Sequence, residues 1–170
     1  RLGLGLIRDA TARGLPVTCG ITPAHLFLSE TAIGGFRSFA RLSPPLRSED
    51  DRAACLAAIA DGTIDILSSG HDPRGPEDKR LPFGLQLIRD GHVTAERLFD
   101  LLAVNPAKLL GVSAGSLSIG QEADLILIDE GTPWQIDAKK MAAYAGNAPF
   151  DGMPVQGRAT AMWKGGIRIR

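Results

Sequence analysis

The stretch DILSSGHDPRG, residues 65–75, holds the side chains of this sequence that are best suited to chemistry. A short apolar run ends at Ser69, and His71 and Asp72 follow closely. Histidine and aspartate at a strand end often bind metals, and either can accept a proton. Gly70, directly before the histidine, has no side chain for either role. The segment therefore predicts either a working metal site or the shape of one that has lost its chemistry.

Two short strands, each preceded by a helix, are expected to position this segment. The near-continuous apolar runs at 15–22 and 63–69 predict buried strands of a parallel sheet. The first helix is expected to end at Gly14, and the second to begin at Ser48, with Asp51 three positions later in a capping-box pattern. The order helix, strand, helix, strand is typical of a parallel sheet with crossover helices.

The second half of the sequence changes from helical to β-rich patterns. Thr94 predicts a helix N-cap, and Asn105 begins a short helix that ends at Gly111. From Gly115 onwards the sequence alternates like strands, and Gly165-Gly166 predicts a tight hairpin. We therefore expect an α/β part at 1–112 and a β-rich part at 113–170.

Composition limits the class of protein. The 170 residues include 44% hydrophobic residues, 19 basic residues and 19 acidic residues, which predicts a soluble globular chain without a nucleic-acid-binding surface. No apolar run is long enough for a membrane span, and the first residues do not have a signal-peptide pattern, so a cytoplasmic location is expected. Cys19 and Cys55 are expected to be buried thiols.

Several stretches, in order, resemble one family: GLPVTCGITPAHLFLSE, LSPPLRSEDDRAACLAAIADGTIDIL, GHDPRGPEDKRLPF, NPAKLLGV, GSLSIGQEADLILID and NAPFDGMPVQGRA. Together they are similar to the C-terminal half of a long, bacterial-type dihydroorotase, a cyclic-amide hydrolase of the amidohydrolase superfamily. The resemblance implies an α/β fold: the C-terminal part of a TIM-type (β/α)8 barrel, with strands seven and eight, plus a small β-sandwich layer. Barrel active sites lie at the C-terminal ends of the strands.

The same resemblance implies an altered strand-eight motif. Active members have Asp-His-Ala-Pro-His there, and Gly70 occupies the position of the first aspartate, the general base that also neighbours the metal. Asp72 is the candidate replacement, but in an extended strand it is displaced by about 6.5–7 Å. That displacement is well beyond a metal–carboxylate bond of about 2 Å. His71 matches a supporting residue of the motif.

Two further positions correspond to the family's substrate contacts. Arg74 replaces the last histidine of the motif and could hold a substrate carboxylate through two hydrogen bonds, or pair with nearby acidic residues on an exposed loop. Ser43 replaces an asparagine that contacts the substrate ring. His25 is interpreted as a packing residue and His92 as a surface residue.

The resemblance also implies a binuclear zinc centre. Its ligands come from earlier strands, so we assign no metal ligand within this sequence and expect the ligands outside it. The stretch 71–84 is predicted to be a long loop, and the family carries a further segment where this sequence passes directly from Phe83 to Gly84.

Three functions remain open at this point. The first is a zinc-dependent dihydroorotase-like hydrolase of pyrimidine biosynthesis that acts on a small cyclic amide. The second is a catalytically silent subunit that supports aspartate carbamoyltransferase. The loss of the base at Gly70 favours this function, and we expect this chain to lack ordinary dihydroorotase activity for that reason. The third is a hydrolase of another cyclic amide, such as allantoin or a hydantoin, which would need Asp72 as its base. A homo-oligomer is expected in each case.

Overall fold

The structure, a computed structural model, describes residues 1–36, 40, 42–69, 80–137, 140 and 150–169. Its α-helices are α1 (Leu2–Ala12), α2 (Pro23–Phe27), α3 (Glu49–Ala60), α4 (Arg80–Arg89), α5 (Ala95–Phe99) and α6 (Asn105–Leu110). A 3-10 helix follows α2 at Glu30–Phe36, and a π-helical turn joins α5 to α6 at Asp100–Val104. The strands are β1 (Gly20–Ile21), β2 (Ile66–Leu67), β3 (Leu125–Gln135), β4 (Pro154–Lys164) and β5 (Ile167–Arg168).

The helix ends follow local sequence signals. The Asp51 amide donates to Ser48 Oγ over 3.3 Å at the start of α3, and the Arg97 amide donates to Thr94 Oγ1 over 3.1 Å at the start of α5. Gly14 follows the end of α1 with a φ of 73°, and Gly111 caps α6 in the left-handed conformation. These ends were predicted from the sequence, and the structure confirms them.

The two predicted buried strands pair in parallel but are shorter than expected. Gly20 pairs with Ile66 and Ile21 pairs with Leu67, whereas strands over 15–22 and 63–69 were predicted. Leu15 and Val17 are 46% and 38% exposed, so the described residues do not bury the start of the first run. An apolar run becomes a strand only where a second strand lies beside it, and within the described residues such pairing is limited to these two positions.

The main core lies between the parallel pair and the helices. Leu4 of α1, Leu26 of α2, Ile59 of α3 and Leu98 of α5 belong to one buried cluster that also contains Leu67 of β2. Leu26, Ile59 and Leu98 have no exposed surface. One apolar stripe from each of these helices therefore holds the helices against the strands.

Strands β3, β4 and β5 form a separate antiparallel sheet in that order. The register of β3 and β4 shifts after Leu127 and again after Asp129, and the turn at Gly165-Gly166 joins β4 to β5 as predicted. A second buried cluster of Ile136, Phe150 and Val155 packs against the sheet and against residues of α2. Three of the five described strands therefore lie in the second half of the sequence.

Helix α4 begins inside a stretch that was predicted to be a loop. The stretch 71–84 was predicted to be a loop, but the backbone is helical from Arg80 and stays helical through Phe83 and Gly84. Gly84 is buried, and Leu98 of α5 lies against it. A proline near the beginning of a helix is tolerated because the first amides have no partner within the helix, so Pro82 is compatible with the helix.

Among the described helices, none combines the length and apolar character needed to cross a membrane.

Candidate functional site

The parallel pairing brings two polar strand ends together. Thr22 follows β1 and Ser68 follows β2. The Ser68 amide donates to the Ile21 carbonyl oxygen over 2.9 Å, and its hydroxyl lies 3.3 Å from the same oxygen. Both strands point the same way, so their C-terminal ends lie at one edge of the sheet, directly before the predicted chemical segment.

Most of the predicted site residues lie outside the described residues. Gly70, His71, Asp72 and Arg74 fall within 70–79, which lies outside the described residues. Ser43 is described: it is exposed and lies in the segment that leads to α3. The roles assigned to these five residues from the sequence therefore stay predictions.

A cavity of about 340 Å³ opens beside the two strand ends. Thr22 and Ser68 contribute to its wall, together with residues of α2, of the segment before α3 and of α3 itself. Wall residues with charged, imidazole or thiol side chains are His25, Arg47, Asp51, Arg52 and Cys55. Its size and its position at the C-terminal ends of parallel strands suit a small-molecule site.

His25 has a more specific role than the packing expected of it. The ring is half-buried, its Nδ1 lies 2.7 Å from Thr22 Oγ1, and its Nε2 lies 3.1 Å from the Pro44 carbonyl oxygen. Both ring nitrogens therefore have partners on the cavity wall, and the packing interpretation is incomplete. The sequence signal was the spacing of Thr22 and His25, three positions apart across the start of a helix, which brings a side chain of the first turn back towards the residue before the helix.

The charges around the cavity differ in how they are paired. The Arg52 side chain is held in place because its guanidinium pairs with Glu49 and donates to the Leu26 carbonyl oxygen over 2.9 Å. Hydrogen bonding to Arg52 lowers the pKa of Glu49. The Arg47 guanidinium, in contrast, makes no hydrogen bond or ion pair within the part of the chain that the structure describes. The pKa of Asp51 is lowered by the N-terminal ammonium group and, to a smaller extent, by the charge of Arg47, so an anionic group in the cavity would share Arg47 with that carboxylate.

Cys55 is the one thiol on the cavity wall among the described residues. Burial raises the pKa of this thiol, so it is protonated and weakly nucleophilic at neutral pH. The sequence expectation of a buried thiol holds in part, because Cys19 and Cys55 are both only half-buried.

The described residues do not provide a metal centre. Across the described ranges, no group of three or more His, Cys, Asp and Glu side chains comes together as possible ligands. Thr22 and Ser68, at the strand ends, carry hydroxyls rather than the nitrogen and thiolate ligands that zinc prefers. No chemical step is therefore assigned to a metal on these residues.

Hydrogen bonds hold the starts of the two strands, at the ends that lie away from the cavity. Asp65 accepts a hydrogen bond from the Cys19 amide over 2.9 Å, which joins the start of β2 to the start of β1. Arg97 donates to the Ile64 carbonyl oxygen over 2.7 Å, and Asn105 donates to the Asp65 carbonyl oxygen over 2.8 Å. These hydrogen bonds fix the strand starts from two sides and so determine where the strand ends lie.

The chain belongs to the amidohydrolase family, because the model of that family matches residues 14–168. Its fold is accordingly of the TIM-barrel type, which solved structures support. It superposes with a TM-score of 0.89 on the L-hydantoinase (dihydropyrimidinase) from Arthrobacter aurescens, at 26% identity, over 98% of this chain and 42% of that one. The dihydropyrimidinase from Brevibacillus agri gives a TM-score of 0.91 at 22% identity, again over 98% of this chain and 42% of that one, which shows the fold alone.

Similar curated sequences carry the name dihydroorotase. The protein from Geobacter sp. (strain M21) is 36% identical over 170 residues, which is 91% of this chain and 40% of the relative. The protein from Geobacter metallireducens is 37% identical over 179 residues, which is 96% of this chain and 42% of the relative. The chain therefore spans about two fifths of the length of these relatives. The dihydroorotase-like character inferred from the sequence motifs is confirmed.

Proposed function

We propose that the chain is part of a dihydroorotase-like cyclic amidohydrolase of pyrimidine biosynthesis, which hydrolyses or closes a cyclic amide C–N bond. The observation that carries this proposal is the similarity to dihydroorotases across 91% of the chain. The cavity at the ends of β1 and β2 supports it, because that is where a barrel enzyme binds its substrate.

Within that proposal, β1 and β2 are strands seven and eight of the barrel. Their parallel pairing at Gly20–Ile66 and Ile21–Leu67 supports this assignment, since neighbouring barrel strands are parallel. Residues 1–112 then form the barrel portion, and residues 113–170, with β3, β4 and β5, form the chain's share of a composite β-sandwich.

The proposed substrate contacts come from two loops. Ser43 would offer a hydroxyl donor and acceptor to the amide ring, and Arg74 would hold a substrate carboxylate. Asp72 is the carboxylate nearest in sequence to the lost base position at Gly70, and His71 would support the loop. Zinc belongs to the proposal for the complete protein, because the family is generally metal-dependent.

Two other functions have an observation in their favour. Gly70, in place of the family's aspartate, favours a catalytically silent subunit that supports aspartate carbamoyltransferase, because glycine cannot accept a proton. The structural similarity to an L-hydantoinase at 26% identity favours a hydrolase of another cyclic amide, such as a hydantoin or allantoin. Similarity to a fold does not by itself assign a substrate.

The experiment compares turnover and metal content in the full-length protein. The protein would be incubated with dihydroorotate, hydantoin and allantoin in separate assays, and its zinc content would be measured in the same preparation. Turnover of dihydroorotate with bound zinc would support the proposed hydrolase. Turnover of hydantoin or allantoin alone would replace the proposed substrate, and bound zinc without any turnover would favour the silent subunit.

Two variants locate the proton acceptor. If Asp72 has taken over from the lost base, Asp72→Asn should reduce kcat at least about 100-fold, as loss of a general base does, while zinc content stays the same. If no base is present, Gly70→Asp should raise the turnover of dihydroorotate, and Gly70→Asn, which is similar in size but cannot accept the proton, should not. Equal rates for both Gly70 variants would exclude the proposed defect at this position.

A further inference from the structure

His25 connects two parts of the cavity wall that are far apart in the sequence. Its Nδ1 lies 2.7 Å from Thr22 Oγ1 at the end of β1, and its Nε2 lies 3.1 Å from the carbonyl oxygen of Pro44. Thr22, His25 and Pro44 all line the same cavity. We call this pair of hydrogen bonds the His25 bridge.

The partners determine the tautomer of the ring. A carbonyl oxygen only accepts hydrogen bonds, so Nε2 must carry a hydrogen and donate it to Pro44. In the neutral ring Nδ1 then has a free lone pair, which accepts the Thr22 hydroxyl hydrogen. A ring with both nitrogens engaged in this way has a fixed orientation.

The bridge acts on a segment that has few other attachments near Ser43. Further along this segment, the Leu46 side chain is buried at 5% exposure, and the Glu30 amide donates to the Arg47 carbonyl oxygen over 2.8 Å. Among the described residues, the hydrogen bond from His25 is the only one that reaches the backbone between Ser43 and Pro45. His25 therefore links the backbone next to Ser43 to the end of β1.

We propose that His25 is a positioning residue. It sets the distance between the end of β1 and the segment 42–47, which we call the Ser43 loop, and thereby the affinity for the cyclic amide. The part that concerns affinity rests on the function proposed above. His25 acts through Ser43 and Pro44 rather than on the reacting bond, so its loss should raise KM and leave kcat nearly unchanged.

Two variants of the full-length protein separate the two hydrogen bonds of the bridge. In His25→Gln the side-chain amide nitrogen reaches about as far as Nε2 and can still donate to the Pro44 carbonyl oxygen. In His25→Asn the shorter amide reaches only the Thr22 side. The inference predicts that His25→Asn releases the loop and that His25→Gln retains it.

The first measurement is amide hydrogen exchange at Glu30, whose hydrogen bond to the Arg47 carbonyl oxygen reports on the loop. His25→Asn should speed exchange at Glu30 about fivefold, the factor that corresponds to about 1 kcal/mol. His25→Gln should leave the rate within about twofold. The His92 amide, which donates to the Leu87 carbonyl oxygen over 2.9 Å, is the control and should not change in either variant. Unchanged exchange at Glu30 in His25→Asn would overturn the inference.

The second measurement is the nitrogen NMR spectrum of the His25 ring, which distinguishes the two neutral tautomers without any need for activity. The inference requires the hydrogen on Nε2. A spectrum with the hydrogen on Nδ1 would overturn it, because the Pro44 contact could then not form.

The third measurement is steady-state kinetics. KM for dihydroorotate should rise about fivefold in His25→Asn and recover in His25→Gln, with kcat within about twofold in both, as expected for the loss of one neutral hydrogen bond. A fall in kcat at constant KM would contradict the positioning role. If the unmodified protein turns over no cyclic amide, the proposed function fails, while hydrogen exchange and the ring spectrum still decide whether His25 holds the loop.

Discussion

Leu85 of helix α4 occupies the space that a side chain at Gly157 of strand β4 would need. A Cβ at residue 157 would lie 2.6 Å from Leu85 Cδ1 and 3.2 Å from the Asp129 carbonyl oxygen. Gly157 also has a φ of 85°, which side chains rarely adopt. Helix α4 therefore packs directly on the backbone of β4, and this contact joins the helical part to the antiparallel sheet.

Replacing Gly157 with alanine should be strongly destabilising. The change combines a steric clash with an unfavourable φ, so we expect the free energy of unfolding to fall by about 2–4 kcal/mol in urea titrations. Gly120→Ala is the matched control, because Gly120 has a φ of 93° and no atom within 4 Å of its Cβ position. The control should lose only about 1 kcal/mol. Equal losses in both variants would mean that Leu85 can move aside without cost.

Gly84 and Gly5 should respond to alanine in opposite directions. Both lie in helices, where alanine is normally favoured by up to about 1 kcal/mol. A Cβ at Gly84 would lie 3.0 Å from Leu98 Cδ1, whereas a Cβ at Gly5 has no atom within 4 Å. Leu98 has no exposed surface and little freedom to shift. Urea titrations should therefore give a loss of about 1–2 kcal/mol for Gly84→Ala and a small gain for Gly5→Ala.

Asp61 should contribute to the loss of stability in acid. Hydrogen bonds from the Thr63 hydroxyl and amide, and from Arg8 over 2.6 Å, lower the pKa of Asp61 despite partial desolvation. A carboxyl whose pKa is lower in the folded state adds stability above its unfolded pKa of about 4 and loses that contribution as the pH falls through the folded value. Asp61→Asn should therefore be less stable than the unmodified protein at neutral pH, with a difference that shrinks below about pH 4.

The measurement for Asp61 is the midpoint of thermal unfolding across this pH range. Thr63→Ala, which removes the hydroxyl donor to Asp61, should weaken the same pH dependence. A difference between Asp61→Asn and the unmodified protein that stays constant from neutral to acidic pH would contradict the assignment.

Asn105 should matter for stability through the strand that it holds. Asn105→Ala removes the donor to the partly buried Asp65 carbonyl oxygen and should cost about 1–2 kcal/mol. Asn105→Asp should cost at least as much, because a carboxylate cannot donate to a carbonyl. Glu96→Ala, on the exposed side of α5, is the control and should change stability by less than about 0.5 kcal/mol. Thermal unfolding of all three variants tests the comparison.

Ser43→Asn tests the proposed substrate contact. The change restores the amide that the dihydroorotase motif has at this position, so KM for dihydroorotate should fall severalfold if the ring binds there, as expected from one or two added hydrogen bonds. Ser43→Ala should raise KM by a similar factor. Steady-state kinetics on the full-length protein provide both values, and no change in KM in either variant would remove Ser43 from the substrate site.

Local signals in the sequence predicted much of this fold, because they act within a few residues. Ser48 and Thr94 cap helices, Gly111 ends one, and Gly165-Gly166 forms the hairpin turn, each as predicted. Such signals need only the hydrogen bonds of the nearest backbone groups. Their outcome does not depend on which elements lie nearby in space.

Sequence patterns whose outcome depends on residues far away in the chain predicted less of the fold. The strand predicted at 15–22 is limited to Gly20–Ile21, because pairing requires a neighbouring strand that the sequence pattern alone cannot supply. Helix α4 begins at Arg80, inside the expected loop, and gains stability from packing on α5 and β4. The partnership of His25 with Pro44 joins residues 19 positions apart, and packing was the simpler expectation from sequence alone.

The hydrogen bonds from Arg97 and Asn105 hold the residues directly before β2, at the end of that strand that lies away from the cavity. Under the function proposed here, the residues that anchor β2 are therefore different from the residues after it that face the cavity. During evolution, the residues after Ile21 and Leu67 can vary without loosening the attachment at Ile64 and Asp65. A family with this separation can acquire new substrates by changing the loops, and a member can lose its chemistry while keeping a stable scaffold.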